Sequence, residues 1–316
     1  MSGFTIIDEA VTIELTTNCN LNCSYCYLSE EARTAKYSAV EVGIKAMNHC
    51  RDIVRTMKRD GVILRSVMLL SAEPTVLNAN HLAMCINILS ERVEHIQIMT
   101  NGVRLADEDY YNSLFKLVKD VRVTIGVTID GYKELHDAAR DNSYDDAAST
   151  VARLYKDKRL ERVNIVVGTE AIKDPERFKA WYKEFILDRG ILHIASSVEP
   201  PVILSMQERM AIIKLLRDMT DMHGEAIDTD VDMCSNVHIL LDRAIAQCTN
   251  DCATVSGKYI NLDSDFKLLL ASRQYYTKVM NEECKTCDKQ DICNVHCHWH
   301  TAPNGFAFNC AYGRND

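Results

Sequence analysis

The sequence contains no uninterrupted apolar run near the roughly 18 residues that a membrane-spanning helix requires. Its opening, MSGFTIIDEAVT, lacks the basic flank and apolar centre of a secretory signal. Neither a membrane span nor export is expected, and the cytoplasm is the expected compartment. A surplus of positive charge is also missing: the formal net charge is -9. Binding to a phosphate backbone draws on clustered lysine and arginine, so nucleic acid is not an expected partner. Internal repeats and low-complexity stretches are absent. At 316 residues, 47% hydrophobic and 26% charged, the chain has ordinary globular usage and room for one large domain and a smaller one.

Cysteine, by contrast, is abundant, with thirteen residues. In a reducing compartment that number does not read as a disulfide framework, and an odd count cannot pair completely. Metal binding is the leading explanation. Cys19, Cys23 and Cys26 crowd into CNLNCSYC near the start, while Cys234, Cys248, Cys252, Cys284, Cys287, Cys293, Cys297 and Cys310 occupy the last quarter. Cys50 and Cys85 stand alone between the groups, in helical patterns beside Met47 and Met84. They read as small buried hydrophobes.

From residue 10 to about 200, short β-type runs alternate with segments of helical period. Strands are expected over 10–16, 62–71, 95–102, 121–131, 162–169 and 191–199, and helices over 38–61, 77–93, 107–120, 144–158, 174–190 and 205–224. Six strand-helix pairs in strict alternation imply an α/β fold with a parallel sheet, either open and doubly wound or closing towards a barrel. In both, ligands bind at the carboxyl ends of the strands. The loop of Cys19, Cys23 and Cys26 directly follows the first strand of that series, so it sits on this rim. The alternation stops near residue 225, which divides the chain into an expected domain over 1–225 and a cysteine-rich one over 226–316.

Three thiolates at the spacing Cys-x3-Cys-x2-Cys leave one iron of a cubic 4Fe-4S cluster without a protein ligand. A zinc knuckle would close its fourth position with a nearby Cys or His, and the next such residue, His49, lies inside an expected helix. CNLNCSYCY resembles the Cx3CxΦC signature of the radical S-adenosylmethionine (radical SAM) family, with Tyr25 at the aromatic position. The resemblance implies a partial (β/α)6 TIM-like barrel whose cluster binds SAM through the open iron and yields a 5'-deoxyadenosyl radical.

Further motifs at strand ends extend the likeness over about residues 10 to 225. SAEP, with Glu73, stands where the family usually has GGEP, a segment that holds the SAM amino group. Ser71 and Ala72 replace both glycines, which bears on how closely the backbone can approach a ligand there. TNG at 100–102, with Asn101, is similar to a polar segment near the SAM ribose. VTIDGYKELHDAAR resembles a stretch of peptide- and protein-modifying members; by that match Thr128 and Asp130 lie near the ribose and Arg140 near the SAM carboxylate. Each motif alone has a plainer reading: a capped turn at Glu73, a turn pair at Asp130-Gly131, a solvated surface at His136, Asp137 and Arg140. Their order at consecutive strand ends favours the cofactor reading.

The run CKTCDKQDICNVHCHWHTAPNGFAFNC has a zinc ribbon as its plain alternative, with His296, His298 and His300 as added donors. Its five-cysteine spacing resembles the SPASM extension, a small Cys-rich C-terminal auxiliary-cluster domain. By position, Cys284, Cys287, Cys293 and Cys310 would bind the distal auxiliary cluster, and Cys297, Cys248 and Cys252 the nearer one. Leu269 falls where a further cysteine usually stands. The nearer cluster then has an open iron, takes Asp263, Asp265 or Cys234 as fourth ligand, or is smaller, so one or two auxiliary clusters are expected. Cys234, in a stretch that reads as a helix, is either a core cysteine or a hydrogen-atom donor, as in epimerase members.

By this resemblance the expected activity is oxidative modification, a crosslink or dehydrogenation, of a ribosomally made peptide or protein side chain. Flavodoxin or ferredoxin is the expected reductant. About a dozen residues precede the first strand of the series, so a separate peptide-recognition protein is the expected substitute for an N-terminal leader-binding domain. A sulfatase-maturing role is disfavoured, because Leu269 and Leu270 occupy the region of that group's catalytic Asp. A dehydrogenase or epimerase acting on a small molecule or a peptide is the alternative, and a non-catalytic iron-sulfur or zinc protein the distant one.

Overall fold

Helix boundaries are set by local chemistry that the sequence displays. Ser38 accepts a hydrogen bond from the Glu41 backbone N–H while the Glu41 carboxylate accepts from the Ser38 N–H, a reciprocal cap. The helix that follows stops at Gly61, whose φ of 66° favours glycine. Asn78, Asp107 and Asp174 cap later helices in the same way, and Ser205 with Glu208 repeats the reciprocal form.

A computed structural model of the chain describes residues 5–7, 11–26, 28–34, 38–197, 202 and 204–223, and the strand pieces 237–239, 244–246 and 260–261. In order these form β1 (Thr5–Ile7), β2 (Val11–Ile13), α1 (Glu30–Arg33), α2 (Ala39–Asp60), β3 (Val62–Leu69), α3 (Ala79–Leu89), β4 (Val93–Thr100), α4 (Val103–Ala106) and α5 (Glu108–Leu117). Then follow β5 (Arg122–Thr128), α6 (Lys133–Ala139), α7 (Tyr144–Lys156), β6 (Leu160–Val167), α8 (Pro175–Tyr182), β7 (His193–Ser197) and α9 (Met206–His223). The last elements are β8 (Val237–Ile239), β9 (Ala244–Ala246) and β10 (Ile260–Asn261).

Strands β2 to β7 pair in sequence order and in parallel, and form a half barrel flanked by helices. Alternate residues of each strand, such as Val67 and Leu69, Ile96 and Ile98, Val163 and Ile165, are buried in the core beneath the helices. Burying them removes the most apolar area from water and fixes the register, because a one-residue slip would turn every one of them to the other face. The opposite face carries half-buried Met68, Gln97 and Asn164. Among the described residues no helix is long and apolar enough to cross a membrane.

The structure departs from the sequence expectation in several places, and the short helices α1, α4 and α6 are additions to it. β1 pairs with the start of β3, Thr5 opposite Val62, so β1 and β2 lie end to end along β3. The helix expected over 174–190 ends at Tyr182 and widens into a π-type turn over Lys183–Leu187, where the Asp188 N–H donates five residues back to the Lys183 carbonyl. The helix expected around Cys234 gives way to β8 and β9. β8 adds in parallel to the open edge of β2, Val11 opposite Val237, and β9 and β10 follow antiparallel. An edge strand with free backbone groups overrides local helical period there.

Candidate functional site

Beyond Ile13 the β2–β3 pairing continues into both loops. The Leu70 N–H donates to the Ile13 carbonyl, Ala72 to Thr16 and Glu73 to Asn18, at 3.1 to 3.3 Å. Ser71, at a position where glycine was expected, accepts the Leu15 N–H on its hydroxyl at 2.8 Å. Cys19 is thereby delivered beside Glu73, whose charge acts on its thiol. The loop then closes a tight turn, with the Cys26 N–H donating to the Cys23 carbonyl, and is fastened to the end of α6 by the Ser24 N–H on the Ala139 carbonyl at 3.0 Å. Cys19, Cys23 and Cys26 are half-buried free thiols. Burial pushes Cys19 up to about 11 and raises Cys23 as well, so their thiolates are costly until a cation shares the site.

Glu73, 1% exposed, is a hub. Its Oε1 accepts from the Thr75 N–H at 2.9 Å, the Thr75 hydroxyl at 2.6 Å and the Thr100 hydroxyl at 2.7 Å, and its Oε2 from the Asn101 N–H at 2.7 Å. Burial raises its pKa, and these donors oppose the rise. The carboxylate thus joins the ends of β3 and β4. Asn101 reaches from there to the cysteine loop, its Nδ2 donating to Asn20 at 2.8 Å. Gly102 follows with φ 86°, and a Cβ there would lie 3.0 Å from Val127 Cγ1.

At the end of β5 the buried Asp130 accepts from the Tyr25 hydroxyl on Oδ2 and from the Val166 N–H on Oδ1 at 3.2 Å. Arg140 donates from Nη1 to the Tyr25 oxygen at 2.6 Å and stands 3.6 Å from Asp130. Burial, then the charge of Asp130, holds the Tyr25 phenol protonated, its pKa well above the usual value. Thr128, the last residue of β5, is half-buried opposite Asn164. His136 is fully buried and links Asp130 to Arg140. Its Nδ1 accepts the Asp130 N–H at 3.2 Å, its Nε2 meets Ser143 Oγ at 3.1 Å, and that hydroxyl donates to the Arg140 carbonyl at 2.6 Å. With Nδ1 accepting, the proton sits on Nε2.

The structure therefore brings Cys19, Cys23, Cys26, Tyr25, Glu73, Asn101, Thr128, Asp130 and Arg140 to one rim of the half barrel. Among the described residues no three His, Cys, Asp or Glu side chains converge as a single ion demands. A zinc knuckle needs four donors on one ion, whereas a cubic cluster with one open iron takes three thiolates; the three free thiols of this loop fit the cluster. Arg140 Nε is a buried N–H without an acceptor, in a residue 9% exposed, and so fits an anionic group such as a carboxylate.

Sequence reasoning assigned no role to Ser143, Thr75, Asn20 or Arg33, all of which brace this rim, and its plainer reading of His136 as solvated surface is corrected by the full burial of that side chain. For His136 the signal was its place in VTIDGYKELHDAAR, one turn ahead of Arg140, whose N–H caps α6 by donating to the His136 carbonyl at 2.7 Å. Cys234, Cys248, Cys252, Cys284, Cys287, Cys293, Cys297 and Cys310, and with them Asp263, Asp265 and Leu269, lie outside the described residues.

Residues 13–181 match the family model described as the Radical SAM superfamily. No curated protein sequence matches the chain. Among solved structures, anSMEcpe with bound AdoMet is similar with a TM-score of 0.69 at 16% identity, over 95% of this chain and 93% of that one. The same protein with AdoMet and the Cp18Cys peptide gives 0.69 at 15% identity, over 95% and 93%. Streptococcus suis SuiB bound to its precursor peptide SuiA gives 0.63 at 14% identity, over 93% and 72%.

Proposed function

This chain belongs to the radical SAM superfamily, and we propose that it oxidatively modifies a ribosomally made peptide or a protein side chain by crosslinking or dehydrogenation. When bound, the 4Fe-4S cluster and SAM supply the 5'-deoxyadenosyl radical. Cys19, Cys23 and Cys26 hold the cluster. Arg140 offers its unpartnered Nε to the SAM carboxylate, while Asp130, Thr128 and Asn101 line the place of the ribose. Glu73, through Oε2 and the Asn101 backbone it anchors, shapes the place of the amino group. Tyr25 keeps its proton between Asp130 and Arg140 and separates the two charges.

The observation that carries the reading is the buried, acceptor-free Arg140 Nε beside three free thiols at the strand ends. The peptide substrate draws support from two similar structures with bound peptides, Cp18Cys on anSMEcpe and SuiA on SuiB. The C-terminal cysteines are proposed as ligands of one or two auxiliary clusters in a second domain over 226–316, which would take up the electron that oxidation leaves behind. A cytoplasmic flavodoxin or ferredoxin would reduce the chain, and a separate recognition protein would present the precursor.

The test is anaerobic reconstitution with iron and sulfide, reduction in the presence of SAM, and mass spectrometry of the nucleoside products and of a co-expressed precursor peptide. We expect 5'-deoxyadenosine and a defined mass loss on the peptide. Zinc without iron, and no 5'-deoxyadenosine, would overturn the assignment. 5'-Deoxyadenosine with no change of peptide mass would favour a dehydrogenase or epimerase acting on a small molecule, or an epimerase acting on a peptide, whose product has the same mass.

A further inference from the structure

We propose that Arg33 is a positioning residue for the radical-generating centre, locking the three-cysteine loop around the cluster and placing a fixed positive charge beside it. The inference rests on Cys19, Cys23 and Cys26 being the cluster's ligands.

The contacts of Arg33 bracket all three cysteines. Its backbone carbonyl accepts the Cys19 N–H at 3.2 Å. Its guanidinium donates from Nη1 to the Leu21 carbonyl at 3.0 Å, from Nη2 to Asn22 Oδ1 at 2.7 Å and from Nε to the Leu28 carbonyl at 3.1 Å. The acceptors therefore lie between Cys19 and Cys23 and beyond Cys26. A planar fork with donors in fixed directions can hold three points of a loop at once, whereas an ammonium on a flexible stem cannot. Helix α1 exists to present this fork. It is one turn, capped by the Ser29 hydroxyl accepting the Ala32 N–H at 3.2 Å, and it ends at Arg33 itself.

Charge gives a second, independent reason. Arg33 is 9% exposed, and among the described residues no carboxylate pairs with it. Its partners are amide oxygens, which solvate the cation without neutralising it. A buried cation left uncompensated is costly, and it becomes favourable beside an anionic group. Three thiolates on an iron-sulfur cluster are such a group. A fixed positive charge there favours the more negative, reduced state, so it raises the reduction potential.

The experiment compares wild type, Arg33→Lys, Asn22→Ala and Asn22→Asp as full-length reconstituted protein. The readouts are iron and sulfide content, the EPR spectrum of the reduced cluster with and without SAM, its midpoint potential, and the urea unfolding midpoint. Arg33→Lys is expected to retain several-fold less iron and to lose the sharp SAM-induced change in EPR. Asn22 is exposed, so its variants will fold. Asn22→Ala should broaden the EPR spectrum; Asn22→Asp, which keeps the acceptor, should restore its shape but lower the midpoint potential, because its carboxylate neutralises Arg33. If Arg33→Lys unfolds, the Asn22 pair decides the question. Wild-type spectra and iron content in Arg33→Lys and Asn22→Ala would overturn the role of Arg33 while leaving the ligand assignment standing. A wild-type protein that takes up no iron-sulfur cluster would overturn both.

Discussion

His136 gives a prediction whose size follows from its surroundings. A free histidine side chain titrates near 6.5, and burial lowers that of His136 to about 4, with Asp130 opposing the shift and Arg140 adding to it. The unfolded chain therefore takes up a proton as the pH falls through 6.5, while the folded chain refuses it until about 4. In that window the unfolded state binds more protons, so stability is fully present at neutral pH and is lost on acidification. Over the whole window the loss is about 3 kcal/mol, and between pH 7 and pH 5 about 2 kcal/mol. His136→Asn keeps an acceptor for the Asp130 N–H but cannot titrate. Wild type should be more stable than the variant at pH 7, by about 1 kcal/mol for the lost bond to Ser143. Urea unfolding at the two pH values should show this advantage shrinking by about 2 kcal/mol and reversing at pH 5. A gap between the two proteins that does not change with pH would refute a buried neutral imidazole at this position.

Three other substitutions probe the same rim. Glu73→Gln sets an amide NH2 against either the Asn101 N–H or the threonine donors; it should cost about 1–3 kcal/mol in urea unfolding and weaken SAM binding. Gly102→Ala forces a side chain into φ 86° with its Cβ 3.2 Å from the Ala147 Cα. It should cost at least about 1–2 kcal/mol, visible as a fall of several degrees in Tm. Arg140→Lys keeps the charge but loses the fork that holds Tyr25 and offers Nε. The Kd for SAM, by calorimetry on reconstituted protein, should rise about tenfold or more with iron content unchanged; an unchanged Kd would remove Arg140 from the SAM site.

Much of the half barrel was legible because its helices announce their ends. Ser38 with Glu41, Gly61 and Asp174-Pro175 act within a few residues of chain, and the apolar alternation of β6 needs no partner to be read. β1 and β8 were not legible, since a strand of three residues carries no period of its own and exists by pairing with β3 or β2. The candidate site divides along the same line. Glu73 was visible in SAEP, but its donors come from Thr75, Thr100 and Asn101, on two loops joined only by the fold. Arg33 was invisible. In SEEART it reads as one more surface charge on a short helix, and its contacts 11 and 12 residues back arise only once the loop has folded over it.

The cysteine loop is anchored from several directions, among them Asn101 on Asn20 and Asp130 with Arg140 on Tyr25. The β3 extension holds it at Asn18, the end of α6 holds it at Ser24, and Arg33 holds it at Cys19, Leu21, Asn22 and Leu28. None of these bonds uses a sulfur. Ordering a loop costs about 1–2 kcal/mol per residue in backbone entropy, and in small zinc domains the metal itself must supply that free energy. Here the surrounding half barrel offsets the cost. On the proposed ligand assignment, the cluster's binding free energy can then go to overcoming the desolvation that holds the Cys19 and Cys23 thiols protonated. Uptake should therefore release protons and depend steeply on pH, while leaving the fold of the half barrel almost unchanged.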